Sequence, residues 1–305
     1  MYRSLFVLFT LTVLNCTNDY VPNANTPELP NNSLTGTGFF EYSDYEPFSN
    51  KVMNIYYHVP PNSSATTPML FVFHGAGRNA KDYRNAMLEK ANTFGFIIIA
   101  PEFSITNFPG GDAYNLGNVF VDGDNPSPAT LNPEEDWTFS VIDPLFDFIK
   151  TNLENTTEKY HVFGHSAGGQ FAHRFVMFKP NARIEKVVAS ASGWYTVPTE
   201  DVSFPYGFNN SPLENLSLNE LYDKNLTVLI GDLDNDPNAP GLRHNVFADA
   251  QGINRFARAQ YFYNLAFEQA QDGNLDFNWV LEINNGADHN YVEASLKAAD
   301  LIFND

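Results

Sequence analysis

Serine, aspartate and histidine occur in this chain in an order that serves one kind of chemistry. Ser166 stands in Gly164-His165-Ser166-Ala167-Gly168. A Gly-x-Ser-x-Gly spacing puts a serine on a tight turn between a strand and a helix, with its hydroxyl lifted clear of the backbone. The flanks suit this: residues 160–163 are β-prone, and residues 170–178 read as an amphipathic helix. Two residues without a Cβ let strand and helix approach closely. The amide end of the helix adds partial positive charge where an oxyanion would form.

A serine hydroxyl at neutral pH is a weak nucleophile. It needs a base, a group that orients the base, and donors for the oxyanion. Of the seven histidines, His74 and His165 sit inside glycine motifs, and His58, His161 and His173 fall on expected strands or on the helix after Ser166. His289, in Gly286-Ala287-Asp288-His289-Asn290, follows the last expected strand, where ligand-facing residues of open α/β sheets collect. It is the expected base. His244 is the rival, or else a loop histidine that binds substrate. The expected acid is Asp234, because Gly231-x-x-Asp234 lets the chain clear a strand end before the carboxylate turns back. Asp232 is the alternative. Asp232, Asp234 and Asp236 alternate like the start of a calcium loop, but Pro237 stands where such a loop needs glycine, and no metal is expected. Oxyanion donors are expected from the Ala167 amide and from the turn His74-Gly75-Ala76-Gly77, with Ala76 ahead of Gly77.

These groups need a rigid frame. Residues 37–42 and 52–59 read as an antiparallel edge. Apolar runs at 69–73, 94–101, 184–192, 226–230 and 277–283 read as further strands, the first two of them fully apolar and buried. Helices are expected at 82–92, at 136–153 with a kink at Pro144, after Ser166, at 253–271 and at 291–303. Strands alternating with helices predict an α/β fold with a mostly parallel central sheet and helices on both faces. A long irregular stretch, 102–135, and a small aromatic-rich insertion, 194–223, interrupt the alternation. Trp194 and Tyr195 directly follow a strand end and are expected at the site mouth as substrate-binding residues. Phe103, Phe108, Tyr114, Phe204, Tyr206 and Phe208 could join them as a wall, or could pack the two loops as a satellite core.

With 305 residues, 43% hydrophobic and 17% charged, the composition is globular. A formal net charge of −19 without a basic cluster excludes a nucleic-acid partner and disfavours strongly anionic substrates. Residues 1–16 read as a signal peptide: Arg3 precedes an apolar run of about 10 residues, too short to span a bilayer. Cys16, the one cysteine, directly follows Val13-Leu14-Asn15, which resembles a bacterial lipobox apart from Asn15. Lipidation there would make a lipid anchor the protein's one membrane contact. Residues 17–35, rich in Asn, Pro and Thr, read as a flexible tether, and residues 36–305 as the catalytic domain.

The motifs Phe73-His74-Gly75-Ala76-Gly77, Gly164–Gly169 and Gly231–Asp234 resemble those of the α/β-hydrolase superfamily, in the branch holding polyhydroxyalkanoate depolymerases and feruloyl or acetylxylan esterases. The resemblance covers residues 36–305. It implies an α/β-hydrolase fold, cofactor-free ester hydrolysis and a secreted or cell-envelope location. One departure is that a single cysteine forbids the intrachain disulfides usual in secreted members. The expectation is a serine hydrolase that cleaves small or polymeric esters through an acyl-enzyme on Ser166, with His289 and Asp234. A serine peptidase of the same fold and an inactive surface-anchored binding protein are the alternatives.

Overall fold

The computed structural model describes residues 34–304. The expected signal peptide, Cys16 and residues 17–33 of the expected tether lie outside the described residues.

The chain runs β1 (Gly36–Tyr42), β2 (Met53–Val59), β3 (Met69–Phe73), α1 (Ala80–Ala86), α2 (Leu88–Phe94), β4 (Ile97–Pro101), α3 (Ile142–Leu153), β5 (Tyr160–His165), α4 (Ala167–Phe178), β6 (Ile184–Ser190), α5 (Leu218–Tyr222), β7 (Leu226–Gly231), α6 (Val246–Gln251), α7 (Arg255–Asp272), β8 (Val280–Asn284) and α8 (Tyr291–Phe303). One sheet has the order β1-β2-β4-β3-β5-β6-β7-β8. The β1–β2 and β2–β4 pairs are antiparallel and the rest are parallel, so the α/β-hydrolase architecture expected from the sequence is the one observed.

Strand β3 explains why its sequence is apolar at every position. Leu70 and Val72 pack with Tyr83 and Met87 of α1 and its end, Ala91 of α2 and Ala298 of α8. Phe71 and Phe73 point the other way, onto Phe146 of α3 and Phe171 of α4. A strand covered on both faces cannot alternate polar and apolar residues. Parallel pairing also gathers the C-terminal ends of β3, β5, β7 and β8 along one edge, and the loops after those ends carry His74, Ser166, Asp234 and His289.

Several expected elements differ in their bounds, among them the strand expected at 94–101, which begins at Ile97 because α2 runs on to Phe94 and Gly95 caps it. The helix expected at 82–92 is two short helices, α1 and α2, that meet at Met87. The helix expected from residue 136 with a kink at Pro144 begins at Ile142, after two 3-10 turns. Pro144 therefore sits in the first turn, where no backbone N–H is needed, and it helps to start the helix instead of bending it. The last strand begins at Val280, three residues late, because Phe277 and Trp279 turn into an aromatic group with Tyr222 and Phe262. Among the described residues, no helix is long and apolar enough to cross a membrane.

Helix α4 crosses the sheet where a side chain would collide with backbone. A Cβ on Gly168 would lie 2.0 Å from the Phe73 carbonyl oxygen, and one on Gly164 would lie 2.0 Å from the Gly168 oxygen. Neither neighbour can swing aside, as both are main chain. Gly168→Ala is expected to lower the unfolding free energy by about 3 kcal/mol, from the cost of forcing extra volume into a packed interior. A urea denaturation midpoint equal to that of the native protein would contradict this.

Candidate active site

Strand β5 ends at His165 and α4 begins at Ala167, so Ser166 alone makes the turn. Its φ of 59° and ψ of −118° are rare for a residue with a side chain. Such a conformation costs of order 1–3 kcal/mol and persists only where surrounding structure enforces it. Here the enforcement is the glycine crossing, together with a 2.9 Å bond from the Ser166 amide to the Ser190 carbonyl at the end of β6.

The structure brings Ser166, His289 and Asp234 together. His289 Nε2 lies 3.1 Å from Ser166 Oγ, and Nδ1 lies 2.6 Å from Asp234 Oδ2. Asp234 is buried and accepts only at its oxygens, so the proton of a neutral His289 sits on Nδ1 and leaves Nε2 free to accept from the serine hydroxyl. Asp232, the alternative acid, instead accepts from the Gly286 amide at 2.6 Å and so props the loop that carries His289. Gly231 has a role beyond clearing the strand end: a Cβ there would lie 2.2 Å from the Ala287 carbonyl oxygen. His244 is elsewhere engaged, with Nδ1 2.8 Å from Asp249 and Nε2 2.8 Å from the Pro237 carbonyl. Among the described residues, no group of three or more His, Cys, Asp or Glu side chains is gathered as a metal site requires.

Ala76 and Ala167 line one cleft of about 250 Å³, with Arg78, Ile105, Gly110, Gly111, Tyr114 and Asn115. As the first residue of α4, Ala167 has an amide with no carbonyl to bond within its own helix. Ala76 lies in a turn closed by the Arg78 amide on the Gly75 carbonyl at 3.1 Å. The sequence reading missed Arg78. Its guanidinium stands 4.5 Å from the Tyr114 ring centre and donates to the carbonyls of Phe103 and Gly110, so it fixes the long loop over the cleft. Its place directly after the glycine turn is the one sequence signal that could have found it.

Two substrate-binding expectations are corrected. Tyr195 is fully buried, its backbone bonded on both sides by the Gln251 amide. Trp194 is 4% exposed, with Arg174 and Arg243 over its ring at 4.2 and 5.1 Å. Phe103, Phe108, Tyr114, Phe204, Tyr206 and Phe208 are buried as well. The aromatic loops are thus packed as satellite cores, and of these rings Tyr114 alone also borders the cleft beside Ala76 and Ala167.

His74 belongs to the frame. Its Nδ1–H donates to the Gly75 carbonyl and its Nε2 accepts from the Phe103 amide, which only the neutral ring can do. Burial pushes its pKa down to about 3, with the nearby Arg78 charge a smaller cause in the same direction. His165 is buried too, its ring 4.7 Å from that of His289, and burial holds its pKa well below the usual range.

Comparison with known proteins gives the following. No protein-family model matches the chain, and no curated protein matches it. Among solved structures, poly(aspartic acid) hydrolase-1 from Sphingomonas sp. KT-1 is 34% identical, with a TM-score of 0.81 over 88% of this chain and 98% of that one. A poly(3-hydroxybutyrate) depolymerase from Bordetella parapertussis is 30% identical, with a TM-score of 0.80 over 89% of this chain and 90% of that one. An S-formylglutathione hydrolase from Agrobacterium tumefaciens, 16% identical with a TM-score of 0.53, shares the fold.

The neutrality of His74 has a consequence for stability. Below about pH 6.5 the unfolded chain takes up a proton at this ring, while the folded protein does so only near pH 3. The contribution is therefore whole above about pH 6.5 and is lost as pH falls toward 3, at about 1.4 kcal/mol per pH unit. Urea titrations across this range should show His74→Gln losing stability on acidification less steeply than the native protein. Parallel slopes would refute the assignment.

Proposed function

The chain belongs to the α/β-hydrolase superfamily, and from that premise we propose that it hydrolyses carboxylic esters outside the cytoplasm through Ser166, His289 and Asp234. The observation that carries this reading is the unbroken hydrogen-bond chain from Ser166 Oγ through His289 to Asp234. Ser166 Oγ attacks the ester carbonyl while His289 Nε2 takes its proton. The tetrahedral oxygen accepts from the amides of Ala76 and Ala167. The intermediate collapses as His289 returns the proton to the departing alcohol, leaving an acyl-enzyme. Water, deprotonated by the same Nε2, then releases the acid and restores the serine. Asp234 accepts the Nδ1–H throughout, holds the ring in its tautomer and balances the imidazolium charge.

Two features support an oligomeric or polymeric ester as substrate. Two solved relatives above 25% identity are by name a poly(3-hydroxybutyrate) depolymerase and a poly(aspartic acid) hydrolase. The cleft beside Ala76 and Ala167 carries an exposed Ile105 on its wall, which suits an apolar acyl or alcohol group. Poly(aspartic acid) is a polymer of an amino acid, so amide cleavage is the second reading. The apolar run at residues 5–14 and Cys16 support export, with a lipid anchor at the envelope.

A fluorophosphonate probe is expected to label the folded protein at Ser166 and to spare Ser166→Ala. On chromogenic short-chain esters, Asp234→Asn should lower kcat by about 10⁴-fold, since the amide stabilises the wrong tautomer of His289. Faster turnover of peptide anilides than of esters would move the assignment to a peptidase. Undiminished ester turnover by Ser166→Ala would falsify the mechanism.

A further inference from the structure

Each carboxylate oxygen of Asp234 has its own partner. Oδ2 meets His289, and Oδ1 lies 3.3 Å from Nη1 of Arg255. Arg255 opens α7, a helix capped by the Asn254 side chain, and the next amide, that of Phe256, donates to the Asp234 carbonyl at 3.1 Å. The first turn of α7 therefore grips both the backbone and the carboxylate of this residue.

The pair is an odd device for stability. The Arg255 and Asp234 side chains are 6% and 3% exposed, and the Arg255 Nε is buried without a hydrogen-bond partner. A buried ion pair with an unsatisfied N–H stabilises no better than an apolar pair of similar volume. Its placement has an electrostatic meaning. The Asp234 anion favours a proton on His289, and a cation on the far side of the same carboxylate opposes it.

We propose that Arg255 is a positioning residue: from the first turn of α7 its buried charge holds the Asp234 carboxylate aligned on His289 Nδ1 and offsets the negative charge that His289 faces. This rests on the reading of Ser166, His289 and Asp234 as a catalytic triad. Other groups face the site, but none replaces this charge. His165, from β5, packs on His289 as a neutral ring. Tyr195, which lies after β6, faces Asp234 as a neutral phenol. Arg258, one turn along α7, is committed to Asp249 and to the carbonyls of Gly193 and Gly252. Asp232 is bound to the Gly286 amide, and Asp288 is exposed beside His289.

The test is kcat/KM against pH on a chromogenic ester, for the native enzyme, Arg255→Gln and Arg255→Lys. Gln retains a donor but no charge, and Lys retains the charge. The acidic limb of the profile is expected to move up by roughly half to one pH unit in Arg255→Gln, and to stay in place in Arg255→Lys. Because stability falls on acidification, each rate is divided by the folded fraction read from intrinsic fluorescence at the same pH, so acid unfolding of a poorly folding variant does not move the limb. An unmoved limb in Arg255→Gln overturns the inference, as does a Gln variant that cannot fold beside a Lys variant that can. If the native enzyme neither turns over esters nor takes a fluorophosphonate at Ser166, the triad reading itself has failed and the inference falls with it.

Discussion

The main chain of α4 passes over the ends of β3, β5 and β6 with no room for a side chain between them. Three glycines make this contact, and the closest atoms they meet are carbonyl oxygens: that of Phe73 for Gly168, that of Gly168 for Gly164, and that of Ser190 for Gly169. Backbone cannot rotate away as a side chain can, so the separation of helix and sheet is fixed to within a fraction of an ångström. The left-handed Ser166 follows from that separation. So do the direction of its hydroxyl and the location of the first free amides of the helix.

The rest of the fold brings partners to this fixed point. Parallel pairing carries β7 and β8 alongside, with Gly231 opposite Asn284, so the loops bearing Asp234 and His289 leave the sheet side by side. Those loops are then tied to each other, by Asp232 to the Gly286 amide and by the Leu233 amide to the Ala287 carbonyl. On the other flank, the Tyr83 ring of α1 stacks on Tyr291, just beyond His289. The arrangement of Ser166, His289 and Asp234 is held by short-range bonds between the loops that leave neighbouring strand ends. The peripheral loops have cores of their own. Arg174 in α4 is fully buried, bonded to Thr196, Gln170 and the Asn115 carbonyl, and it stands over Trp194. One side chain thereby joins the helix that follows Ser166 to both irregular segments.

What could be read in the sequence was whatever local spacing encodes. Ser166, Asp234 and His289 each follow a β-prone run directly, and their order along the chain matches the strand order of the fold, so three distant residues could be placed together from local signals. The apolar runs gave the strands for the same reason, since burial on both faces leaves no other pattern. Trp194 and Tyr195 were misplaced because their surroundings come from afar: Gln251 in α6, Arg174 in α4 and Arg243. A strand-end position says where a backbone goes and nothing about what will cover the side chain. Arg255 and Arg78 escaped notice because an arginine near a helix start or a glycine turn is ordinary. Each acquires meaning only through a partner from another element, Asp234 in one case and the Phe103 and Gly110 carbonyls in the other.

Ser166 and His289 do not share the same shelter. Strand β5 has neighbours on both sides and helices over both faces, whereas β8 has a neighbour on one side only and is partly exposed along its whole length. Backbone bonds at a sheet margin open in local fluctuations that leave the interior shut. Fraying of β8 would carry off His289 with its loop while Ser166 stayed on its turn, its hydroxyl still presented but with nothing to take its proton. Under the proposed mechanism, loss of reactivity and loss of fold are then separate events in this molecule, and the first needs only the sheet's outermost strand to let go.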